Sequence, residues 1–103
     1  MAAYLIVNVN VTDPERYAEY VKAVPATIVK FGGKFLTRGG KVEVLEGTYT
    51  PRRFVIVEFD NVERARAWWE SDDYKGPMML RRSASFADII LVEGMAPPPA
   101  AAS

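Results

Sequence analysis

The chain has 103 residues, with 13 Lys and Arg balanced by 13 Asp and Glu, and neither His nor Cys. At this length one domain is expected, burying about 65% of the surface the unfolded chain exposes, and an ordinary globular composition excludes a disordered body. The two zeros exclude disulfides, thiolate nucleophiles, imidazole bases, His- or Cys-ligated metals and a proximal haem histidine, and with them Ser-His-Asp and Cys-His catalysis.

Tyr4 to Val11 reads as a strand. Leu5, Val7, Val9 and Val11 share one face, and Tyr4, Ile6, Asn8 and Asn10 the other. Asp13-Pro14-Glu15 starts a helix: Asp13 caps it, Pro14 suits the first turn, and Glu15 favours the positive end. Tyr17, Tyr20, Val21, Val24, Ile28 and Phe31 then recur at helical spacing. Pro25 removes one hydrogen bond and is expected to kink the helix, which Gly32-Gly33 ends. Lys34 to Arg38 is a short strand. Lys41 to Glu46 alternates strictly, with Val42 and Val44 facing inward, so it extends a bent strand or forms a hairpin around Gly39-Gly40. Gly47 to Pro51 is a loop. Arg53 to Phe59 reads as a central strand buried on both faces. Asp60-Asn61 caps a second helix, Val62 to Ser71, with Val62, Ala65 and one of Trp68 and Trp69 inward, because adjacent positions lie ~100° apart on a helix. Ser71-Asp72-Asp73 caps a helix from Tyr74 to about Ser83, broken near its start by Gly76-Pro77. Phe86 to Glu93 is the last strand. Residues 95–103 are a Pro/Ala tail expected to be disordered, leaving 1–94 as the single domain.

The order β-α-β-β-α-(α)-β is the split βαβ pattern of a ferredoxin-like α+β sandwich: an antiparallel sheet with its helices on one face. The strands carry apolar residues on both faces, and helices cover one. A second copy packed sheet to sheet would hide the other, giving a homodimer; the plainer alternative is that Tyr4, Ile6 and Ile56 are tolerated at a surface. The balanced charge offers no cationic excess for nucleic acid. No apolar run approaches the ~18 residues a membrane span needs. No basic region precedes the first apolar run as in a signal peptide. The expected location is the cytoplasm.

The stretch Gly33-Lys34-Phe35-Leu36-Thr37-Arg38-Gly39-Gly40 resembles a bacterial family known as domain of unknown function 1330. The resemblance continues through Glu46-Gly47, Pro51-Arg52-Arg53, Val55 to Phe59, Ala67 to Tyr74 and Arg81 to Ser85. Tyr17-Ala18-Glu19-Tyr20 and Val24-Pro25 are also similar, so that it covers about residues 3–94. It implies a dimeric α+β barrel, a ferredoxin-like fold paired through its sheets. Relatives of that architecture include cofactor-free monooxygenases, muconolactone isomerases and haem enzymes. Haem chemistry through a histidine cannot carry over to a chain without one. The family position after Trp68 is usually Tyr; here it is Trp69, which removes a phenolic hydroxyl.

The remaining toolkit is carboxylates, Arg, Lys, Tyr, Trp and hydroxyls. Arg38 beside two glycines can grip a carboxylate or phosphate, or simply close a turn and pair with Glu46 or Glu58. Glu58, in a central strand, becomes a general base if burial raises its pKa, or forms an ion pair, with Arg38 as the expected partner because Arg53 lies on the opposite face. Trp68, Tyr74, Tyr17 and Tyr20 can wall a pocket between helices and sheet, with Arg81 as an anion anchor at its mouth and Ser83 nearby; the plainer reading makes Tyr17 and Trp69 core. Glu63, Arg66 and Glu70 form a solvated helix face.

Three functions fit. A small enzyme needing no metal or other cofactor would bind an aromatic or carboxylate substrate through Arg38 or Arg81, move a proton with Glu58 or a tyrosine such as Tyr74, and pack the ring on Trp68. A binding or sensing module would need only the pocket. A structural dimer would fill it with side chains.

Overall fold

The computed structural model describes residues 1–96. Its elements are β1 (Ala3–Val11), α1 (Pro14–Lys30), β2 (Lys34–Arg38), β3 (Arg53–Phe59), α2 (Val62–Trp69), α3 (Asp72–Ala84) and β4 (Ser85–Glu93). The strands form one sheet in the order β2-β3-β1-β4, every neighbouring pair antiparallel. This is the ferredoxin-like α+β fold. The tail from residue 97 onward lies outside the described residues, and no described helix is long and apolar enough to cross a membrane.

The helix starts follow from their caps. Asp13, Asn61 and Ser71 each accept a hydrogen bond from the backbone N–H three residues on, at 3.2, 2.8 and 3.2 Å. At the end of α1, Gly32 takes φ +80° and donates to Val29 O, while Gly33 donates to Ile28 O. This is a Schellman turn. Gly33 also leaves no room: an added Cβ would stand 2.7 Å from Ile28 Cγ2 and Phe59 Cε1.

Leu5, Val7 and Val9 of β1 and Val55, Val57 and Phe59 of β3 point under the helices, against Tyr17, Tyr20, Val24, Ile28, Ala65, Trp68 and Tyr74. Alternation sends Tyr4 and Ile6, Ile56, and Phe86, Ile90 and Val92 to the opposite face. None of the described helices covers that face. Phe86 is 73% and Ile90 56% exposed there.

Three expectations need correction. Lys41–Glu46 forms no strand: residues 39–52 are irregular, and Val42 and Val44 face solvent. The N–H of Gly39 bonds to Phe54 O, so the chain continues away from β2 instead of folding back onto its free edge. The α3 helix is not broken at Gly76-Pro77 and starts two residues earlier than expected. Gly76 lacks the Cβ that a following proline ring would strike. The α2 helix stops at Trp69, where Glu70 forms the C-cap. Of the two tryptophans, Trp68 is core, 1% exposed, and Trp69 is half-buried.

Candidate functional site

The α1 helix runs through Pro25, which has no N–H to give the carbonyl four residues earlier. That carbonyl, Val21 O, is filled instead by Arg38, whose Nη2 donates to it at 2.6 Å. Arg38 also lies over the Phe35 ring, 4.6 Å from its centroid. It reaches this side of the sheet because of a β-bulge: β2 shifts register between Phe35 and Thr37, so that Arg38 opposes Val55, a core-facing residue. Strict alternation would have put Arg38 with Lys34 on the open face.

Arg53 has the same orientation as Val55 and Val57, so it too points under the helices, 5.6 Å from the Tyr17 ring. Its Nε is buried and has no hydrogen-bond partner. Gly39, at φ +70°, lies against this guanidinium: a Cβ there would stand 2.7 Å from Nη1. Arg81 comes from the end of α3 and is 5% exposed. Its Nε donates to Tyr74 Oη at 3.2 Å. Register explains the convergence. Arg38 opposes Val55, Arg53 opposes Val9, and Val9 opposes Ala87 near the α3–β4 junction. That junction is tied to the start of α1, with Thr12 and Asp13 N–H both bonding to Ala84 O.

The three guanidiniums line one cavity of about 40 Å³, together with Tyr17, Tyr20, Trp68 and Tyr74. That volume holds two or three waters at most. An aromatic run continues from it: Tyr17 and Tyr20 centroids are 5.5 Å apart, Tyr20 and Tyr74 6.4 Å, Tyr74 and Trp68 4.0 Å, Trp68 and Phe59 5.7 Å. Trp68 Nε1 donates to Thr27 Oγ1 at 2.9 Å, and Thr27 Oγ1 donates to Val24 O at 2.7 Å, fixing the indole to α1. The Tyr20 and Tyr74 hydroxyls are 2.9 Å apart. Burial first, and then the neighbouring Tyr74, push the Tyr20 phenol well above its ordinary value of 10.0. It stays protonated at any physiological pH.

Among the described residues no carboxylate lines the cavity. Among the described residues the ion pairs are Lys30–Asp73, Lys34–Glu58 and Lys75–Asp72, none involving an arginine. A guanidinium withdrawn from water without an anion is costly. The cavity therefore has donors and positive charge to spare.

Of the residues singled out in the sequence, Arg38, Arg81, Tyr17, Tyr20, Trp68 and Tyr74 meet at this cavity. Arg81 is buried in its wall and does not stand at a mouth. Two do not join them. Glu58 lies on the open face, opposite Tyr4 and Lys34, and pairs with Lys34 at 3.2 Å; the expected Glu58–Arg38 pair does not form. Ser83 is exposed and donates to its own helix at Leu80 O. Arg53 was missed as a site residue, although its alternation with Val55 and Val57 was visible in the sequence.

A ferredoxin-like domain with an arginine-rich cavity between sheet and helices is the class these features define. The chain belongs to the family described as Domain of unknown function (DUF1330), whose model matches residues 2–95. No curated protein matches it in sequence. Among solved structures, a protein of unknown function from Rhodopseudomonas palustris superposes with a TM-score of 0.75 at 17% identity, covering 93% of this chain and 84% of that one. SnoaB, a cofactor-independent oxygenase from Streptomyces nogalater, gives 0.64 at 12%, covering 95% and 97%. A Nitrosomonas europaea protein named for antibiotic biosynthesis monooxygenases gives 0.57 at 14%, covering 95% and 94%. At these identities the likeness shows a shared fold.

Proposed function

We propose that this protein acts on a small organic acid, aromatic or enolic, whose anionic oxygens take the place of the missing carboxylate among Arg38, Arg53 and Arg81. The observation that carries this reading is the buried, unpartnered Nε of Arg53 in a cavity lined by three guanidiniums and no acid. Trp68 and Tyr74 supply flat apolar walls for a ring, and the permanently protonated Tyr20 supplies a donor. At about 40 Å³ the cavity admits such a ring only when the half-buried Arg38 and Arg53 side chains swing outward.

The chemistry that fits is metal-free and cofactor-free. Among the described residues no carboxylate base lines the cavity, because Glu58 faces the other side of the sheet, which leaves Tyr74 as the side chain to move a proton. The substrate must then be acidic enough to ionise beside guanidiniums, which lower the pKa of a neighbouring acid. An enolate or phenolate formed in this way is the kind of electron-rich anion that reacts with oxygen directly, and the fold is shared with a cofactor-independent oxygenase. The missing carboxylate also favours a second reading: a module that binds or senses the same anion and leaves it unchanged.

The open apolar face supports a homodimer joined sheet to sheet.

Thermal melts with benzoate and with neutral benzamide test the anion site. Millimolar benzoate should raise the melting temperature by several degrees and benzamide should not, and Arg53→Gln should remove the benzoate shift. Equal responses to both probes, or none to either, would overturn the proposal. Mass spectrometry of a bound acid, recovered altered or unaltered, separates enzyme from binding module.

A further inference from the structure

Residues 40–50 are all exposed, and among the described residues none of 40–49 takes part in a backbone hydrogen bond outside regular elements. Yet this is the segment whose Lys41–Glu46 alternates as a strand does. Val42 and Val44 are exposed, and Leu45 is 89% exposed. Such a pattern is unusual for a solvated loop, which gains nothing from apolar side chains at every second position.

The position of the root is informative. At one end Gly39 N–H bonds to Phe54 O at 2.9 Å. At the other, Asn8 holds the returning chain with both ends of its amide: Nδ2 donates to Thr50 O at 3.2 Å and Oδ1 accepts from Arg52 N–H at 2.7 Å. Asn8 belongs to the uncovered face of β1, with Ile6 and opposite Asp88. The segment is therefore fastened on the side of the sheet where the helices are not. From such a root five or six extended residues reach about 18 Å. Two sheets packed face to face stand ~10 Å apart.

We propose that residues 40–50 are an arm that grips a second copy of this chain, laying Val42 and Val44, which share one side of an extended segment, on the open sheet face of the other molecule. The inference rests on the sheet-to-sheet dimer proposed above, and it goes further by assigning the arm as part of that interface. Two features point to a second copy as the occupant. The arm and the uncovered apolar face belong to the same chain and adjoin each other at Asn8. The reach of the arm also exceeds the gap between packed sheets. In a two-fold pair each copy would give one arm and receive one.

Sedimentation of the full chain from nanomolar to tens of micromolar concentration, with far-ultraviolet circular dichroism to confirm folding, tests this. Three variants are compared with wild type: the arm variant Val42→Asp/Val44→Asp, the sheet variant Ile90→Asp, and Val29→Asp on the helix side as a control for added charge. The expected result is a dimeric wild type, with the dissociation constant raised at least about tenfold by the arm and sheet variants and unchanged in the control. A dimer weakened by Ile90→Asp, with the arm variant within twofold of wild type, would overturn the arm and leave the dimer standing. A monomeric wild type would remove both.

Discussion

Pro25, Val21 and Arg38 form a unit whose coupling can be measured. In the wild type, Arg38→Ala leaves Val21 O without a partner, which costs about 1–3 kcal/mol. It also removes the stacking of the guanidinium on Phe35, worth about 0.5–1 kcal/mol. Pro25→Ala restores a backbone N–H that can bond to Val21 O, and alanine is better than proline in a helix interior by up to about 3 kcal/mol. Arg38 already serves that carbonyl, so part of this gain is forfeited. In the Pro25→Ala background, Arg38→Ala then loses little more than the stacking. The double-mutant cycle should show a coupling of about 1–2 kcal/mol, read from urea unfolding of the four proteins at one protein concentration with unchanged slopes. Effects that add within about 0.5 kcal/mol would refute the account, and would mean that Val21 O finds water when Arg38 is gone. The same cycle followed with benzoate should show tighter binding in Pro25→Ala, because an arginine released from its carbonyl is free to swing outward and to donate to the anion.

Tyr20 makes a pH prediction. Its folded pKa is raised, so the native state keeps a proton that the unfolded chain releases above pH 10.0. The stability this contributes is complete below pH 10.0 and is lost as pH rises beyond it. Alkaline unfolding should therefore be shallower in Tyr20→Phe, and the wild-type tyrosinate absorbance at high pH should stay short of its full value until the protein unfolds; a full tyrosinate signal from the native protein would contradict the burial of Tyr20. Gly33→Ala should destabilise by about 1–3 kcal/mol in thermal melts, since the added methyl meets Ile28 and Phe59 at 2.7 Å. A neutral result would show that the Phe59 ring yields.

The elements that the sequence made legible are those whose signals are local. Asp13, Asn61 and Ser71 cap their helices because each carries an oxygen that reaches an N–H three residues away. The two-faced apolarity of β1 was legible because strand alternation needs no knowledge of neighbours. What could not be read depended on partners distant in sequence. The bulge at Leu36 turns Arg38 to the helix side, and nothing in Lys34 to Arg38 marks where the extra residue falls. Val42 and Val44 have the pattern of a strand, but pattern does not supply an edge to pair with. Gly76-Pro77 looked like a break because the proline is conspicuous; the missing Cβ on Gly76 that lets the helix continue is not.

The charge balance also shows how a global quantity conceals a local one. Equal numbers of acids and bases argue against a polyanionic partner, because steering by nucleic acid depends on the whole surface. They say nothing about a cavity. Here the acids are sorted outward: Asp72, Asp73 and Glu58 pair with lysines on the helix ends and on the open sheet face. Arg38, Arg53 and Arg81 are sorted inward by a bulge, by strand alternation and by the last turn of α3. The proposed anion would thus meet three guanidiniums and, among the described residues, no competing carboxylate. It is this sorting on which the proposal of a small acid, and not a polymer, as the ligand rests.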